Sequence, residues 1–129
     1  MAITHLNPDS MYQSPAFSQA VKVDGVSSLI FVGGQNGINK DGSVAGPDLA
    51  SQTKKALENV ISALEAGGAR PEDVVKMTVY LVQGQDANAG FAAAGEVWRQ
   101  RTAVSVVFVA GLGVPGALVE IEAVAALSA

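Results

Sequence analysis

The stretch from Ala103 to Ala125 constrains the fold more than any other part of this sequence, because a short Gly/Pro turn joins two apolar runs rich in β-branched residues. This pattern predicts two adjacent buried strands. The first run has almost no polar alternation, so we expect both faces of that strand to be covered. In the second run, alternation places Glu120 and Glu122 on one face and apolar side chains on the other. Because a buried charge is costly unless it is paired, we expect any functional site to lie near these carboxylates.

Composition narrows the class of protein. The chain has 129 residues, which predicts one domain over residues 1–129. Hydrophobic residues make up 49% of the chain and charged residues only 16%, and this excess of apolar surface favours contacts between subunits. With no cysteine and a single histidine, His5, the chain excludes disulfides, thiol catalysis and a multi-histidine metal site, so we expect no metal.

Charge and hydropathy also predict which partners the protein does not bind. The net charge of −4 argues against nonspecific binding of nucleic acid. No apolar run approaches the roughly 18 residues of a membrane-spanning helix, and the N-terminal residues lack the pattern of a signal peptide. We therefore expect a cytoplasmic protein that contacts neither membrane nor nucleic acid.

Periodicity and turn residues predict the order of elements. The predicted elements are an irregular arm over 1–17, strands over 18–23 and 28–32, a glycine-rich turn over 33–37, a helix over 49–66 capped by Asp48, a strand over 74–82, a polar loop over 83–90, a helix over about 91–101, and the two C-terminal strands. The order ββαβαββ indicates an α+β domain with both helices on one face of a mixed sheet. The other face is then free, and another subunit is its expected cover.

Four blocks of the sequence carry a family resemblance: SPAFSQAV, FVGGQ, the run from DLASQ to TVYLV, and GALVEIEAVA. In this order they resemble the opening motif, the second-strand motif, the first helix with the third strand, and the C-terminal signature of the Rid (YjgF-like) family, often labelled endoribonuclease L-PSP-like. The resemblance implies a chorismate-mutase-like fold and a homotrimer with inward-facing sheets and ligand clefts between subunits. It also implies hydrolysis, without a cofactor, of reactive enamine or imine intermediates such as 2-aminoacrylate to 2-oxo acids and ammonia.

The chain departs from the family pattern at the position that grips the substrate. In deaminating members, an arginine in a PARS(T/C)VEV strand binds the substrate carboxylate. Alignment through VFVAGLGVPGALVEIEA, with one residue inserted in the turn, places that arginine at Val104. Positions 104, 106 and 108 share one strand face, which is apolar here. Phe17 replaces the aromatic hydroxyl of the opening motif. The resemblance therefore does not by itself imply imine deamination for this chain.

Other family positions are retained. Glu120 corresponds to the acid thought to position or activate water, so the resemblance implies that it is the catalytic residue and that it faces Val104 in the cleft. A purely structural role for this carboxylate, bonded to backbone amides at a subunit contact, is equally compatible with the sequence. The residues that the resemblance assigns to ligand binding are Phe17, Gly33, Gly34, Gln35, Val104 and Phe108.

Two arginines precede the altered strand. At the end of the predicted second helix, Arg99 and Arg101 are either cations favoured by the helix dipole or a replacement for the missing guanidinium. In the second case one of them, with Arg101 as the candidate ligand-binding residue, reaches across a subunit boundary.

Two classes of function remain open. As a hydrolase, the protein favours an apolar or neutral ligand, or one with a cation opposite Glu120. Alternatively, it is a non-enzymatic trimer that binds a metabolite or another protein. RNA cleavage ranks lowest, because it requires paired acid–base groups and cationic phosphate contacts.

Overall fold

The computed structural model of the protein describes residues 1–128. Its strands are β1 (Ala2–Leu6), β2 (Ala20–Asp24), β3 (Ser28–Asn36), β4 (Val74–Val82), β5 (Ala103–Val109) and β6 (Val119–Leu127). Its α-helices are α1 (Leu49–Ala66) and α2 (Ala87–Val97), and a 3-10 turn over Pro71–Asp73 leads into β4. Within the described residues, no helix is long and apolar enough to cross a membrane.

The larger sheet is mixed, as predicted, with the strand order β3-β6-β4-β5. Strand β6 pairs antiparallel with both β3 and β4, whereas β4 and β5 are parallel. Strands β4 and β5 are parallel because the helical crossover through α2 returns the chain to the end of the sheet at which β4 begins. The prediction that β5 and β6 are adjacent is therefore wrong, since β4 lies between them.

Strand β5 forms an edge of this sheet. None of its residues is fully buried, and Val107 and Phe108 keep 42% and 49% of their surface exposed. The prediction that both of its faces are covered is wrong for the single chain. An uninterrupted apolar run does not distinguish a strand covered within its own chain from one that only another molecule can cover.

The prediction of an irregular arm over 1–17 is wrong in part, because the arm contains the strand β1. This strand pairs antiparallel with β2, from Ala2 opposite Asp24 to Leu6 opposite Ala20. Its five residues form a strand only through a partner on the far side of a polar loop, so the local sequence gives little indication of it.

Helix α1 begins and ends as predicted. Asp48 accepts hydrogen bonds from the Ser51 amide at 2.9 Å and from the Ser51 hydroxyl at 2.8 Å, and these bonds hold the pKa of Asp48 below its usual range. Beyond the last turn, Gly68 has a φ of +81°, a left-handed conformation that favours glycine. The apolar face of α1 packs against β3 and β6.

Helix α2 begins and ends about four residues earlier than predicted. Asp86 caps it by accepting a hydrogen bond from the Asn88 amide at 3.0 Å. This cap lies in a polar, glycine-containing stretch whose local composition predicts a loop. The backbone is extended at Trp98, so Arg99 and Arg101 both follow the last helical residue. Arg99 still donates to the Gly95 carbonyl oxygen in the last turn of α2, as a cation at a helix end does, whereas the interpretation as a helix-terminal cation is wrong for Arg101, which bonds to carbonyls outside the helix.

The core lies between α1 and one face of the larger sheet. On β4, Met77 and Leu81 are buried and Val79 is half-buried, and a pairing irregularity between Val74 and Lys76 makes Val74 the first core residue of this strand. Both helices lie on this face, as predicted. The opposite face is called the open face below.

Candidate functional site

The open face carries the two carboxylates identified in the sequence. In the pairing of β4 with β6, Tyr80 lies opposite Glu120 and Thr78 opposite Glu122, so all four side chains share this face. The alternate residues of β6 are buried beneath the helices. The predicted alternation of β6 is confirmed.

Strand β3 positions the Glu120 carboxylate. Asn36 Nδ2 donates to the Val119 carbonyl oxygen at 3.0 Å and lies 3.4 Å from Glu120 Oε1. The Glu120 side chain also lies over Gly34: a Cβ built there would be 2.6 Å from Glu120 Cδ and 2.9 Å from Cγ. Any side chain at position 34 would displace the Glu120 carboxylate, so glycine is required there to keep it in its position. Sequence reasoning missed Asn36, because its partners are more than eighty residues away along the chain.

Gly33 and Gly34 lie at a bulge beside this carboxylate. The regular pairing of β3 with β6 is interrupted between Val32 and Gln35, which leaves the two glycines outside the regular ladder. Gln35 Nε2 donates to the Gly33 carbonyl oxygen at 3.1 Å and so braces the bulge. The structure thus brings three of the predicted site residues together near Glu120.

Tyr80 and Glu122 form a second polar contact on the open face. The Tyr80 hydroxyl donates to Glu122 Oε1 at 2.6 Å. This hydrogen bond is the main cause that raises the pKa of Tyr80, and desolvation and the charges of both carboxylates add to it. Nearby, Lys76 Nζ lies 2.7 Å from Ser105 Oγ. The tyrosine was not identified as a site residue from the sequence.

The other predicted site residues lie on the helix-covered face. Val104 pairs with Met77, so it shares the face that the helices cover. Glu120 and Val104 are therefore on opposite sides of the sheet, and the expectation that they face each other is wrong within one chain. Phe108 shares the face of Val104 but lies near the end of β5, half exposed.

A cavity of about 750 Å³ lies between α2 and the helix-covered face of the sheet. Three predicted site residues line it: Phe17, Arg101 and Val104. Its remaining wall is mostly apolar and includes no carboxylate. The structure therefore divides the predicted cleft into two groups, one at this cavity and one around Glu120 on the open face.

Arg101 is bound within its own chain. Its Nε donates to the Phe17 carbonyl oxygen at 3.1 Å and its Nη2 to the Ser14 carbonyl oxygen at 2.6 Å. Arg99 Nε donates to the Gly95 carbonyl oxygen at 3.3 Å. The two bonds of Arg101 tie the segment before β2 to the start of β5, and the bond of Arg99 is to the last turn of α2.

The described residues contain no group of three or more His, Cys, Asp or Glu side chains that could hold a metal ion. His5 Nδ1 lies 2.7 Å from Ser18 Oγ, a contact between β1 and the residues that lead into β2.

Comparisons with known proteins agree on one family. The family model described as Endoribonuclease L-PSP matches residues 8–127. A RutC family protein from Pyrococcus abyssi is 41% identical over 85 residues, which cover 65% of this chain and 61% of that protein. The chain thus spans about three fifths of that relative's length. The Schizosaccharomyces pombe protein mmf2, named as mitochondrial, is 31% identical over 134 residues, covering 98% of this chain and 99% of that protein.

A solved structure extends the match to the whole fold. The crystal structure of YyfB, a protein of the conserved Rid family from Yersinia pestis, is 34% identical and superimposes with a TM-score of 0.86. The match covers 98% of this chain and all of that one.

Proposed function

The chain belongs to the endoribonuclease L-PSP (Rid) family, and from this premise we propose that it binds a small metabolite in clefts between the subunits of a homotrimer. The observation that carries the proposal is the separation of the site residues onto two faces of the sheet. Phe17 and Val104 lie on one side, and Gly34 and Glu120 lie on the other. Only a second copy of the chain can bring one group against the other.

Exposed apolar residues on the open face support self-association. Phe31 is 73% exposed, Leu29 is 50% exposed and Val107 is 42% exposed. Leu29 and Phe31 are neighbours on the edge strand β3, and Val107 lies on the opposite edge strand β5. Exposed apolar side chains of this size are typical of surfaces that another protein covers. A symmetric homo-oligomer buries such a face with no partner other than the chain itself.

Glu120 is the group best placed for hydrolysis without a cofactor. Asn36 and the space over Gly34 hold its carboxylate next to the bulge, whose backbone amides can bind developing negative charge. In this proposal Glu120 orients a water molecule that attacks the C=N carbon of an imine. The carbon gains the water oxygen, and the imine nitrogen takes up both protons of the water. The C–N bond then breaks, ammonia leaves, and a carbonyl compound remains.

Val104 sets the substrate class. A side chain without charge cannot form the bidentate pair that an arginine makes with a carboxylate. We propose that neither Arg99 nor Arg101 replaces it, because the hydrogen bonds of both side chains go to backbone carbonyls of their own chain. We therefore expect a preference for neutral imines or enamines over those that carry a carboxylate.

RNA cleavage is not part of the proposal. The net charge is −4 and the single histidine is engaged with Ser18, so the described residues offer neither paired acid–base groups nor a phosphate-binding patch. A cytoplasmic location stays a prediction, because one relative is named as mitochondrial.

The test generates 2-aminoacrylate, whose imine form carries a carboxylate, in situ and follows keto-acid release by the intact protein. Wild type is expected to be slow, Val104→Arg at least tenfold faster, and Glu120→Gln slower than Val104→Arg by 10²-fold or more when made in the same background. Glu122→Gln is the matched control, since it removes the other carboxylate of the same face, and it should leave the rate of Val104→Arg unchanged. Light scattering gives the oligomeric state.

A rate that does not fall on removal of Glu120 contradicts its assigned role. A monomer in solution contradicts the composite cleft. No turnover by any variant, together with saturable metabolite binding that Glu120→Gln weakens, would instead support the non-enzymatic alternative.

A further inference from the structure

The cavity beneath α2 has the size of a small-molecule site and a wall of accessible apolar side chains. Its volume of about 750 Å³ lies within the range of such sites, roughly 300–1,000 Å³. Helix α2 packs against α1, whereas, among the described residues, no comparable packing joins it to the sheet. Four lining residues keep surface exposed and form what is called the apolar wall below: Phe91, which is 54% exposed, and the half-buried Trp98, Val104 and Val106. A ligand in the cavity would cover apolar surface that the chain itself leaves accessible.

Two arginines lie where the cavity opens to solvent. Arg99 and Arg101 line the cavity together with Gln100, and all three residues are exposed. Within the described residues, neither of these arginines forms a salt bridge, whereas Arg70, the third arginine of the chain, pairs with Glu72. The opening of the cavity is therefore a positively charged patch on a chain whose net charge is −4.

The acidic residue nearest to these arginines along the chain is engaged elsewhere. Glu96 in the last turn of α2 forms its salt bridge with Lys54 of α1. In the part of the chain that the structure describes, no carboxylate lines the cavity. An anion that enters the opening therefore meets two cations and no repelling charge from the cavity.

Backbone bonds hold both guanidinium groups in place. Arg99 is bonded to the last turn of α2, and Arg101 is bonded to the segment before β2. Among residues 1–128, these bonds leave both Nη groups of Arg99 and Nη1 of Arg101 for another acceptor. A side chain that is already fixed loses less conformational entropy when it binds a ligand. The same bonds keep the two arginines on the helix-covered side of the sheet, whereas Glu120 lies on the open face.

We propose that the cavity beneath α2 binds an amphipathic monocarboxylate, with its carboxylate at the two arginines and its apolar body along the apolar wall. A guanidinium group donates two parallel N–H bonds to a carboxylate, and the opposite charges strengthen them. An apolar molecule without a charge would leave the two cations without a partner, and a small anion would leave the apolar wall uncovered. The ligand class follows from both features together.

This site requires one chain only. Phe17 and Val104 also belong to the proposed cleft between subunits, but both arginines and the whole apolar wall come from the same copy of the chain. Binding here involves no C=N bond and no contact with Glu120, which lies on the other side of the sheet. The two proposals can therefore fail independently.

The test follows the fluorescence of Trp98, the only tryptophan of the chain, as octanoate or octanamide is added to the full-length protein. The two probes have the same alkyl chain and differ in charge. Wild type is expected to bind octanoate saturably and about tenfold or more tightly than octanamide. In Arg99→Gln, the affinity for octanoate should fall about tenfold, while the affinity for octanamide stays within about twofold. With Arg101→Gln added, the two probes should bind about equally.

Arg70→Gln is the matched control for charge, because it removes an arginine that lies outside the cavity. It should bind octanoate as wild type does. Ala94→Phe, which places a ring in the cavity, should weaken binding of both probes about tenfold or more, whereas Ala92→Phe, at an exposed position of α2 outside the lining, should not.

Several results would each overturn the proposal. These are no saturable octanoate binding by wild type, equal affinities of wild type for the two probes, equal losses in Arg70→Gln and Arg99→Gln, and full binding by Ala94→Phe.

A measurement on wild type alone covers the case in which Ala94→Phe does not fold. Addition of octanoate should shift the backbone amide resonances of Ala94 and Gly95, which line the cavity. Shifts confined to the strands β3 and β6 would place the ligand between subunits and refute the cavity site.

Discussion

Two neighbouring glycines offer a sharp test of how the Glu120 carboxylate is positioned. Neither Gly33 nor Gly34 has a positive φ, so alanine is conformationally acceptable at both. A Cβ on Gly33 would meet no atom of the chain within 4 Å, whereas a Cβ on Gly34 would collide with the Glu120 side chain. Gly34→Ala is therefore the perturbation, and Gly33→Ala is its matched control.

The size of the effect follows from the distances. With alanine at position 34, Glu120 Cδ at 2.6 Å must move by about 0.8 Å to reach the 3.4 Å at which ordinary contact begins. Glu120 is only partly buried, so it can rotate away and give up its contact with Asn36. Overpacking costs roughly 1–3 kcal/mol, and the more restricted unfolded chain returns about 0.4–1 kcal/mol. We expect Gly34→Ala to lower the free energy of unfolding by about 1 kcal/mol.

A double-mutant cycle isolates this contact. Urea unfolding is measured for Gly34→Ala in the wild-type background and in the Glu120→Ala background. In the second background the collision is absent, so Gly34→Ala should be neutral or stabilising, and the coupling energy should be about 1–2 kcal/mol. The same cycle with Gly33→Ala should give a coupling near zero. Any change in subunit contacts that is common to both backgrounds cancels in the cycle.

Equal coupling for the two glycines would refute the reasoning, because the argument depends on the space over Gly34 alone. The imine hydrolysis assay adds a second readout. If the displaced carboxylate no longer orients water, Gly34→Ala made with Val104→Arg should reduce turnover towards the level of Glu120→Gln, and Gly33→Ala should not.

Two further predictions concern buried and titrating polar groups. Gln52→Leu should lower the free energy of unfolding by about 3 kcal/mol, since three backbone groups lose their partner. Thr53→Val should raise the free energy of unfolding by about 1 kcal/mol, because it removes an unpaired hydroxyl. Urea unfolding checks both, and destabilisation by Thr53→Val would mean that the hydroxyl has a partner. The phenol of Tyr80 should ionise above the ordinary value near 10, and Glu122→Gln should lower that pKa in an absorbance titration of phenolate. Because the folded-state pKa is raised, the hydrogen bond stabilises the fold below about pH 10 and this contribution is lost as the pH rises through the folded-state value; parallel losses of stability in wild type and Glu122→Gln above pH 10 would contradict the assignment.

The candidate site could be predicted only in part from the sequence. The family blocks identified Glu120, the glycines of β3 and Val104, and the structure places Gly33, Gly34 and Gln35 at one bulge beside Glu120. Asn36 and Tyr80 were not identified, because each acts through a contact with a distant strand. The sequence also gave no indication of the cavity beneath α2, which depends on how far the helix lies from the sheet.

What the sequence determined by itself was local. The Asp48 cap, the apolar stripe and the terminal glycines define α1 from its first residue to its last, because hydrogen bonds and packing within a helix join residues close in sequence. Alternation likewise determined the two faces of β6.

Only the tertiary structure decided which strands pair. The crossover through α2 makes β4 and β5 parallel and inserts β4 between β5 and β6, so two strands that are consecutive along the chain are separated in the sheet. That order places Glu120 on the open face and Val104 beneath the helices. Strand pairing is a choice among distant partners with similar local patterns, and it is decided by the burial of the whole sheet rather than by any one segment.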